Sequence, residues 1–385
     1  MPLRIAYDGR YINDRYHGIG RVAFNLLEAI TRLTTEHEFI VYLHPRYRNS
    51  RFDLRRLAIH PRVTFRSLRL PLLLPPDQLA WPAVLARDGA DLFHSPYVIG
   101  PILGRVPTVV TIHDLILERF PQYTPSWPLR HAYRLMATAS LRHATAVIAV
   151  SEATRNEVDH WYPATSNKTR VVHNGVDPAF GRAPSPSELA RVRERYDLPP
   201  RFVLAIGAGR PHKNLEILVD AALLIGRSDV QFVIVSAADR RFPDRLGERL
   251  RETGERSVRR LARVEESDLP ALYRLASAFV FPSLVEGFGL PMLEAMAAGT
   301  AVVASDRSSL PEVAGDAAIY FDPRDAQALS ARLTQILDDP GLRRVLAARG
   351  IERARAFSWD AAARAVLDVY DEILVNRGTR STPRR

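Results

Sequence analysis

The sequence predicts an α/β protein built as two doubly wound domains, each a parallel sheet with helices on both faces. Three observations carry that expectation. Short apolar, β-branched runs alternate with longer helical patterns, as in successive βαβ units. The alternation restarts after a Pro/Ser-containing stretch at residues 177–186, the clearest linker in the chain. The length, 385 residues, exceeds what one ordinary core serves.

The first domain opens on a strand at 4–8. An amphipathic helix follows at 21–30, and further strands are expected at 39–43, 92–94, 108–112, 146–150 and 170–172. The second domain repeats the pattern with strands at 202–206, 232–235, 278–281, 301–304 and 318–321. Ser358 is placed to cap a last helix running to Leu374, and the tail from Asn376 reads as frayed. The expected division is therefore 1–178, 179–357, and a C-terminal helix at 358–375. Two open α/β sheets imply a cleft, and such sheets bind ligands at the carboxyl ends of their strands.

Composition narrows the class. An apolar fraction of 46% and a charged fraction of 25% are those of a globular protein. There are no cysteines, hence no disulfides and no Cys-held metal or haem. The N-terminus reads as a strand and not a signal peptide, and no window of about 18 apolar residues predicts a membrane span. A cytoplasmic location is expected. The net charge of +10 points to an anionic partner. Nucleic acid fits poorly, because the arginines are dispersed and no recognition motif is present. Basic residues are almost all arginine, with lysine only at Lys168 and Lys213; Lys168 reads as merely exposed.

The densest chemical signal is Pro282-Ser283-Leu284-Val285-Glu286-Gly287-Phe288-Gly289-Leu290-Pro291-Met292-Leu293-Glu294. It sets two carboxylates eight residues apart across a loop-to-helix transition. Gly287 and Gly289 bare the backbone between them, and Pro291 suits a first helical turn. A helix N-terminus favours phosphate, so the segment suits an elongated, hydroxyl-rich phosphate ester such as a nucleotide sugar. Lys213, in Gly207-Ala208-Gly209-Arg210-Pro211-His212-Lys213, is a compact cation suited to a diphosphate, with Arg210 beside it. Gly18 and Gly20 sit between the first strand and first helix, where bare backbone can face a phosphate or sugar. His113 follows a strand end with Asp114 placed to orient it, and His94 is a lesser candidate. No Asp-x-Asp motif suited to a metal occupies a strand-end loop. An apolar, proline-broken stretch at 68–76 and a basic, aromatic helix from Trp127 suit either a membrane interface or ordinary packing.

The string from Pro282 to Glu294, continued by Glu294-Ala295-Met296-Ala297-Ala298-Gly299-Thr300 and Ser309-Leu310-Pro311-Glu312, resembles the donor-site motif of the retaining GT-B glycosyltransferases of family four. Gly18-Ile19-Gly20-Arg21, His113-Asp114-Leu115, Val150-Ser151-Glu152, His173-Asn174-Gly175 and Lys213-Asn214 extend the resemblance along nearly the whole chain. It implies two Rossmann-like domains facing across a cleft, with acceptor in the first, donor in the second, and the last helix returning to the first. It implies that Glu286 holds the donor sugar, with His113 near the reaction centre. Glu294 takes the ribose, and backbone N–H groups of Phe288, Gly289 and Leu290 take sugar and phosphate. Lys213 and Arg210 stabilise the departing diphosphate, and no metal or other cofactor is required. The string at 210–213 and Ser309-Leu310-Pro311-Glu312 look like bacterial mannosyltransferases of O-antigen and exopolysaccharide assembly. That suggests GDP-mannose as donor, a UDP-hexose second, and a glycan or lipid-linked acceptor. Two other readings stay open: a nucleotide-sugar epimerase of the same fold, and a non-catalytic polyanion-binding protein.

Overall fold

The computed structural model describes residues 3–34, 36–70, 72 and 75–380. Seven parallel strands form the first sheet: β1 (Arg4–Tyr7), β2 (Glu38–Leu43), β3 (Val63–Ser67), β4 (Leu92–Ser95), β5 (Thr108–Ile112), β6 (Ala146–Ala149) and β7 (Thr169–Val171), in the spatial order β3-β2-β1-β4-β5-β6-β7. Six more form the second: β8 (Phe202–Ile206), β9 (Gln231–Val235), β10 (Val258–Leu261), β11 (Ala278–Phe281), β12 (Val302–Ser305) and β13 (Ala318–Phe321), in the order β10-β9-β8-β11-β12-β13. Central strands β4, β5, β6, β11 and β12 are buried throughout, as parallel strands covered on both faces must be. Strand order reverses between β1 and β4 in the first sheet and between β8 and β11 in the second, the switch points where open α/β sheets bind ligands.

The chain divides into two compact units, Met1–Gly175 with Trp359–Arg385, and Val176–Ser358, against 178 and 357 expected from sequence. The last helix, Trp359–Arg380, packs on the helix His17–Leu33 of the first unit. It runs through Asn376 to Arg380, and residues 381–385 of the expected frayed tail lie outside the described residues. Two edge strands, β3 and β10, were absent from the sequence reading. So was the first turn of the helix that begins at His17 and not Arg21. Lys168 is not merely exposed. Its ammonium donates to the carbonyls of Arg142 (2.9 Å) and Ala144 (2.5 Å), closing the C-terminus of the helix Trp127–His143. Of the apolar stretch at 68–76, Leu68 is in the core and Leu70 packs against it; positions 71, 73 and 74 lie outside the described residues.

Two buried polar clusters hold the first unit together. Just past β1, Arg10 is 1% exposed and sits between two buried carboxylates. Its guanidinium donates to both oxygens of Asp8 (2.7 Å each) and to Asp77 (2.7 and 3.3 Å), and lies 4.9 Å over the Trp81 ring. At the end of β4, His94 is fully buried. Its Nδ1 bonds the Tyr370 hydroxyl of the last helix (2.6 Å) and its Nε2 the Thr111 hydroxyl (2.8 Å). His94 therefore anchors the last helix to the sheet; it is no ligand-facing candidate.

Burial, together with nearby His113, pushes the His94 imidazole down to about 3. Burial, together with Lys213 and Arg210, pushes His212 in the second unit down to about 2. An unfolded histidine titrates near 6.5. Below that pH the unfolded chain takes up protons that the native state refuses, so stability is lost as pH falls from about 6.5. Each buried histidine is expected to contribute up to ~1.4 kcal/mol per pH unit between about pH 6.5 and 5. Thermal midpoints measured across that window should fall with acid, and His94→Gln should flatten the slope. An equal slope in His94→Gln would remove His94 as a source.

Candidate active site

The second sheet brings Lys213 and Glu286 together from 73 residues apart in sequence. Lys213 follows β8 and Glu286 follows β11, the strands that flank the switch point. The Lys213 ammonium lies 2.6 Å from Glu286 Oε1 and 5.6 Å from the Phe281 ring centroid. Both side chains are mostly covered, at 19% and 10% exposure, so water screens the pair less than it would on the surface. The loops that carry them are stitched by main-chain bonds. Leu284 N–H donates to the His212 carbonyl at 2.8 Å, and the Ser309 hydroxyl donates to the Glu286 carbonyl at 3.1 Å.

Directly after Glu286 the chain turns into the helix Leu290–Ala297. Gly289 makes that turn with φ +100° and ψ 45°, a backbone that side-chain-bearing residues rarely adopt. A Cβ there would also lie 2.8 Å from Leu310 Cδ2. No side chain caps this helix, and Pro291 brings no N–H of its own. The Met292 and Leu293 N–H groups turn back onto the Gly289 carbonyl at 3.0 and 3.2 Å, so the start of the helix is an uncapped, partly positive end beside a carboxylate and an ammonium. Gly287, Phe288 and Gly289 are buried, and the Phe288 ring packs edge-on against Phe357 with centroids 5.7 Å apart.

Glu294 points from the same helix but is 3% exposed, and its Oε2 accepts a 3.0 Å hydrogen bond from the buried Tyr273 hydroxyl. Tyr273 escaped the sequence reading, because a tyrosine on an apolar helix face carries no signal of its partner. Arg210 is swung aside: its guanidinium lies 3.5 Å from Asp239, which Arg241 also grips, and it is 41% exposed. Gly209 packs so closely that a Cβ would meet the Ala237 carbonyl at 2.7 Å.

In the first unit the structure separates the candidates. His113 is half-buried after β5, and its Nε2–H donates to the Pro96 carbonyl at 2.9 Å. That bond leaves Nδ1 as the acceptor nitrogen, and burial holds the imidazole neutral, down to about 4. Pro96, and not Asp114, orients the ring; Asp114 instead accepts from the Ile116 N–H at 3.1 Å. Gly18 and Gly20 lie inside the first turn of the helix His17–Leu33, where a loop was expected. The Gly20 N–H is used on the Tyr16 carbonyl, and a Cβ there would meet the Tyr11 carbonyl at 2.8 Å, so Gly20 has a packing role. Gly18 is open on its Cα face. Among the described residues, no cluster of three or more His, Cys, Asp or Glu side chains is placed to hold a metal.

Two family models cover most of the chain: glycosyltransferase family 4 over residues 16–180, and glycosyl transferases group 1 over 187–353. The O-antigen chain mannosyltransferase B of Escherichia coli is 33% identical across 96% of this chain and 99% of its own. The chain belongs to the GT-B glycosyltransferases. It catalyses glycosyl transfer. This glycosyltransferase is also 26% identical to the serotype-specific mannosyltransferase WbdA of Escherichia coli, over 97% of its own length but 48% of that relative's. Among solved structures, Anabaena Alr3699/HepE in complex with UDP and glucose matches 96% of the glycosyltransferase and 100% of that chain, with TM-score 0.75 at 20% identity. WaaG, a glycosyltransferase involved in lipopolysaccharide biosynthesis, matches 95% of it and 99% of that chain at TM-score 0.70 and 14% identity. At those identities the structural likeness speaks to the fold alone.

Proposed function

We propose that the enzyme transfers mannose from GDP-mannose to a hydroxyl of a glycan or lipid-linked glycan, with retention at the anomeric carbon. The observation that carries this reading is the Lys213–Glu286 pair at the switch point, next to the uncapped start of the helix Leu290–Ala297. The relatives named mannosyltransferases support the choice of sugar. Glu286 accepts hydrogen bonds from donor sugar hydroxyls. Lys213 and the helix start take the diphosphate, and Arg210 joins them once it leaves Asp239. Glu294, fixed by Tyr273, takes the ribose. The acceptor oxygen bonds to the anomeric carbon on the face the phosphate leaves. The carbon–oxygen bond to phosphate breaks with its electron pair staying on the diphosphate, whose oxygen takes the acceptor proton. Lys213 and the helix dipole offset the charge that builds there, so no metal ion is required.

A thermal-shift panel of GDP-, UDP-, ADP- and dTDP-sugars tests the donor. GDP-mannose at 100 times its dissociation constant should add about 2.7 kcal/mol. Mannose transfer should survive excess EDTA. Glu294→Gln should weaken donor binding roughly 10-fold, or about 1.4 kcal/mol, and the penalty should vanish with a donor lacking the ribose hydroxyls. Stabilisation by UDP-hexoses alone would move the donor assignment. Epimerised sugar formed from donor without transfer would replace the reading with an epimerase.

The acceptor side favours a membrane surface as the place of work. Along the helix Trp127–His143, Trp127, Leu129 and Leu135 are exposed at 71%, 56% and 72%. From Pro121 to Ser151 there is no acidic residue, while Arg130, His131, Arg134, Arg142 and His143 are basic. Arg134 is paired with buried Glu118 and burial holds the His143 imidazole below its usual range, so Arg130 and Arg142 carry the net positive charge beside the apolar bulk, a combination that suits an anionic headgroup layer. No helix among the described residues is long and apolar enough to cross a membrane. The enzyme should float with phosphatidylglycerol-containing vesicles at low salt, and Trp127→Glu/Leu135→Glu should abolish flotation. Equal flotation with purely zwitterionic vesicles, or in the double variant, would count against this contact.

A further inference from the structure

We propose that Asn214 is a positioning residue that sets the reach of Lys213 to Glu286, an inference that rests on the donor-site reading above. Asn214 adopts the left-handed conformation, φ 53° and ψ 37°, one of three described non-glycine residues at positive φ. Asparagine tolerates that backbone better than most residues, but it remains a cost that the surroundings must hold in place. Here the side chain does the holding. Its amide nitrogen donates to the Pro282 carbonyl at 3.2 Å and to the Pro323 carbonyl at 2.7 Å. Because both partners are carbonyls, the amide can face them only with its NH₂ group. One side chain thus ties the loop after β8 to the loop after β11 and to the turn after β13. Lys213 is its immediate neighbour, and Glu286 lies four residues beyond Pro282. With the bond from Leu284 N–H to the His212 carbonyl, two ties flank Lys213 in sequence, and the ammonium meets the carboxylate without either loop being free to slide.

The distance between two charged groups is a catalytic quantity, since a misplacement of about 1 Å can cost on the order of 10²-fold in rate. The test is a double-mutant cycle read as kcat, donor KM and thermal midpoint. Asn214→Gly keeps the backbone conformation and removes the clamp. Asn214→Asp keeps the shape but turns a carboxylate toward two carbonyls. Both are expected to lower kcat/KM by about 10- to 100-fold. In a Lys213→Ala background, Asn214→Gly should cost less than about threefold, because the group it positions is gone. An undiminished penalty in that background would overturn the proposal and leave a purely structural clamp, as would loss of the folded state in both single variants. Wild-type kcat/KM in Asn214→Gly would overturn it outright. Wild-type kinetics in Lys213→Ala would instead bring down the donor-site reading itself, so the two failures are distinguishable.

Discussion

Glu286→Gln is expected to lower kcat by about 10²–10³-fold, the scale for one lost transition-state partner, while donor KM changes much less. The substitution keeps the size of the side chain, so the loop and its bond from Ser309 to the Glu286 carbonyl should persist. What disappears is a negative charge 2.6 Å from Lys213. As the sugar–phosphate bond breaks, positive charge builds on the sugar ring and negative charge on the diphosphate. A carboxylate and an ammonium held side by side match that separation. A neutral amide keeps one acceptor oxygen and presents an NH₂ donor in place of the other, to which a sugar hydroxyl can turn its oxygen, so the resting sugar stays hydrogen-bonded; it offers less to the separated charges, which is why the loss should fall mainly on turnover. Steady-state kinetics at saturating donor, with donor affinity measured separately by thermal shift, resolves the two. Full activity in Glu286→Gln, or a loss confined to KM, would rule the residue out of the chemical step.

Arg10→Met is expected to destabilise the first unit by about 3–5 kcal/mol, since it removes the guanidinium that bridges two buried carboxylates. Asp8 and Asp77 are each 3% exposed and are bridged by the guanidinium. Removing it leaves like charges facing one another beside the Trp81 ring. For a unit of this size the thermal midpoint should fall by roughly 10 °C. Adding Asp8→Asn and Asp77→Asn should recover much of the loss, because the penalty lies in the uncompensated charge and not in the missing arginine. Differential scanning calorimetry of the single and triple variants decides it. A single variant within about 1 kcal/mol of the parent would mean that water or other cations reach the cluster.

The contrast between these two sites explains what could be read from sequence. Strands β4, β5, β6, β11 and β12 are buried on both faces, and their unbroken apolar runs announce them. Strands β3 and β10 lie at sheet edges, carry Arg66, Arg259 and Arg260, and look like loops to any argument from hydrophobicity. Glu286, Gly289 and Lys213 were legible because each sits in a short strand-end string whose residue types announce phosphate and sugar. Tyr273 and Ser309 act on Glu294 and Glu286 from elsewhere in the chain, each through a single hydrogen bond that spacing does not encode, and Asn214, next to Lys213, reaches the distant Pro282 and Pro323 carbonyls. Asn214 had a faint signal in the Lys213-Asn214 pair. The histidines were legible as residues but not as roles. His94 and His113 both end or follow strands, yet one is locked onto Tyr370 and Thr111 while the other keeps a nitrogen lone pair available.

The covalent order of the chain has a consequence for biosynthesis. Residues 176–358 are contiguous and can complete their own core as soon as they leave the ribosome, whereas the first unit lacks the helix Trp359–Arg380 until after the second unit has been made. Until then His94 has no Tyr370 to bond, and the face of the helix His17–Leu33 that receives the last helix stays uncovered. Of the two units, the one begun first is thus the one finished second. A stop shortly after Ser358 would spare the donor-site residues entirely and yet open the hydrophobic interior of the first unit, making it a target for chaperones and proteases.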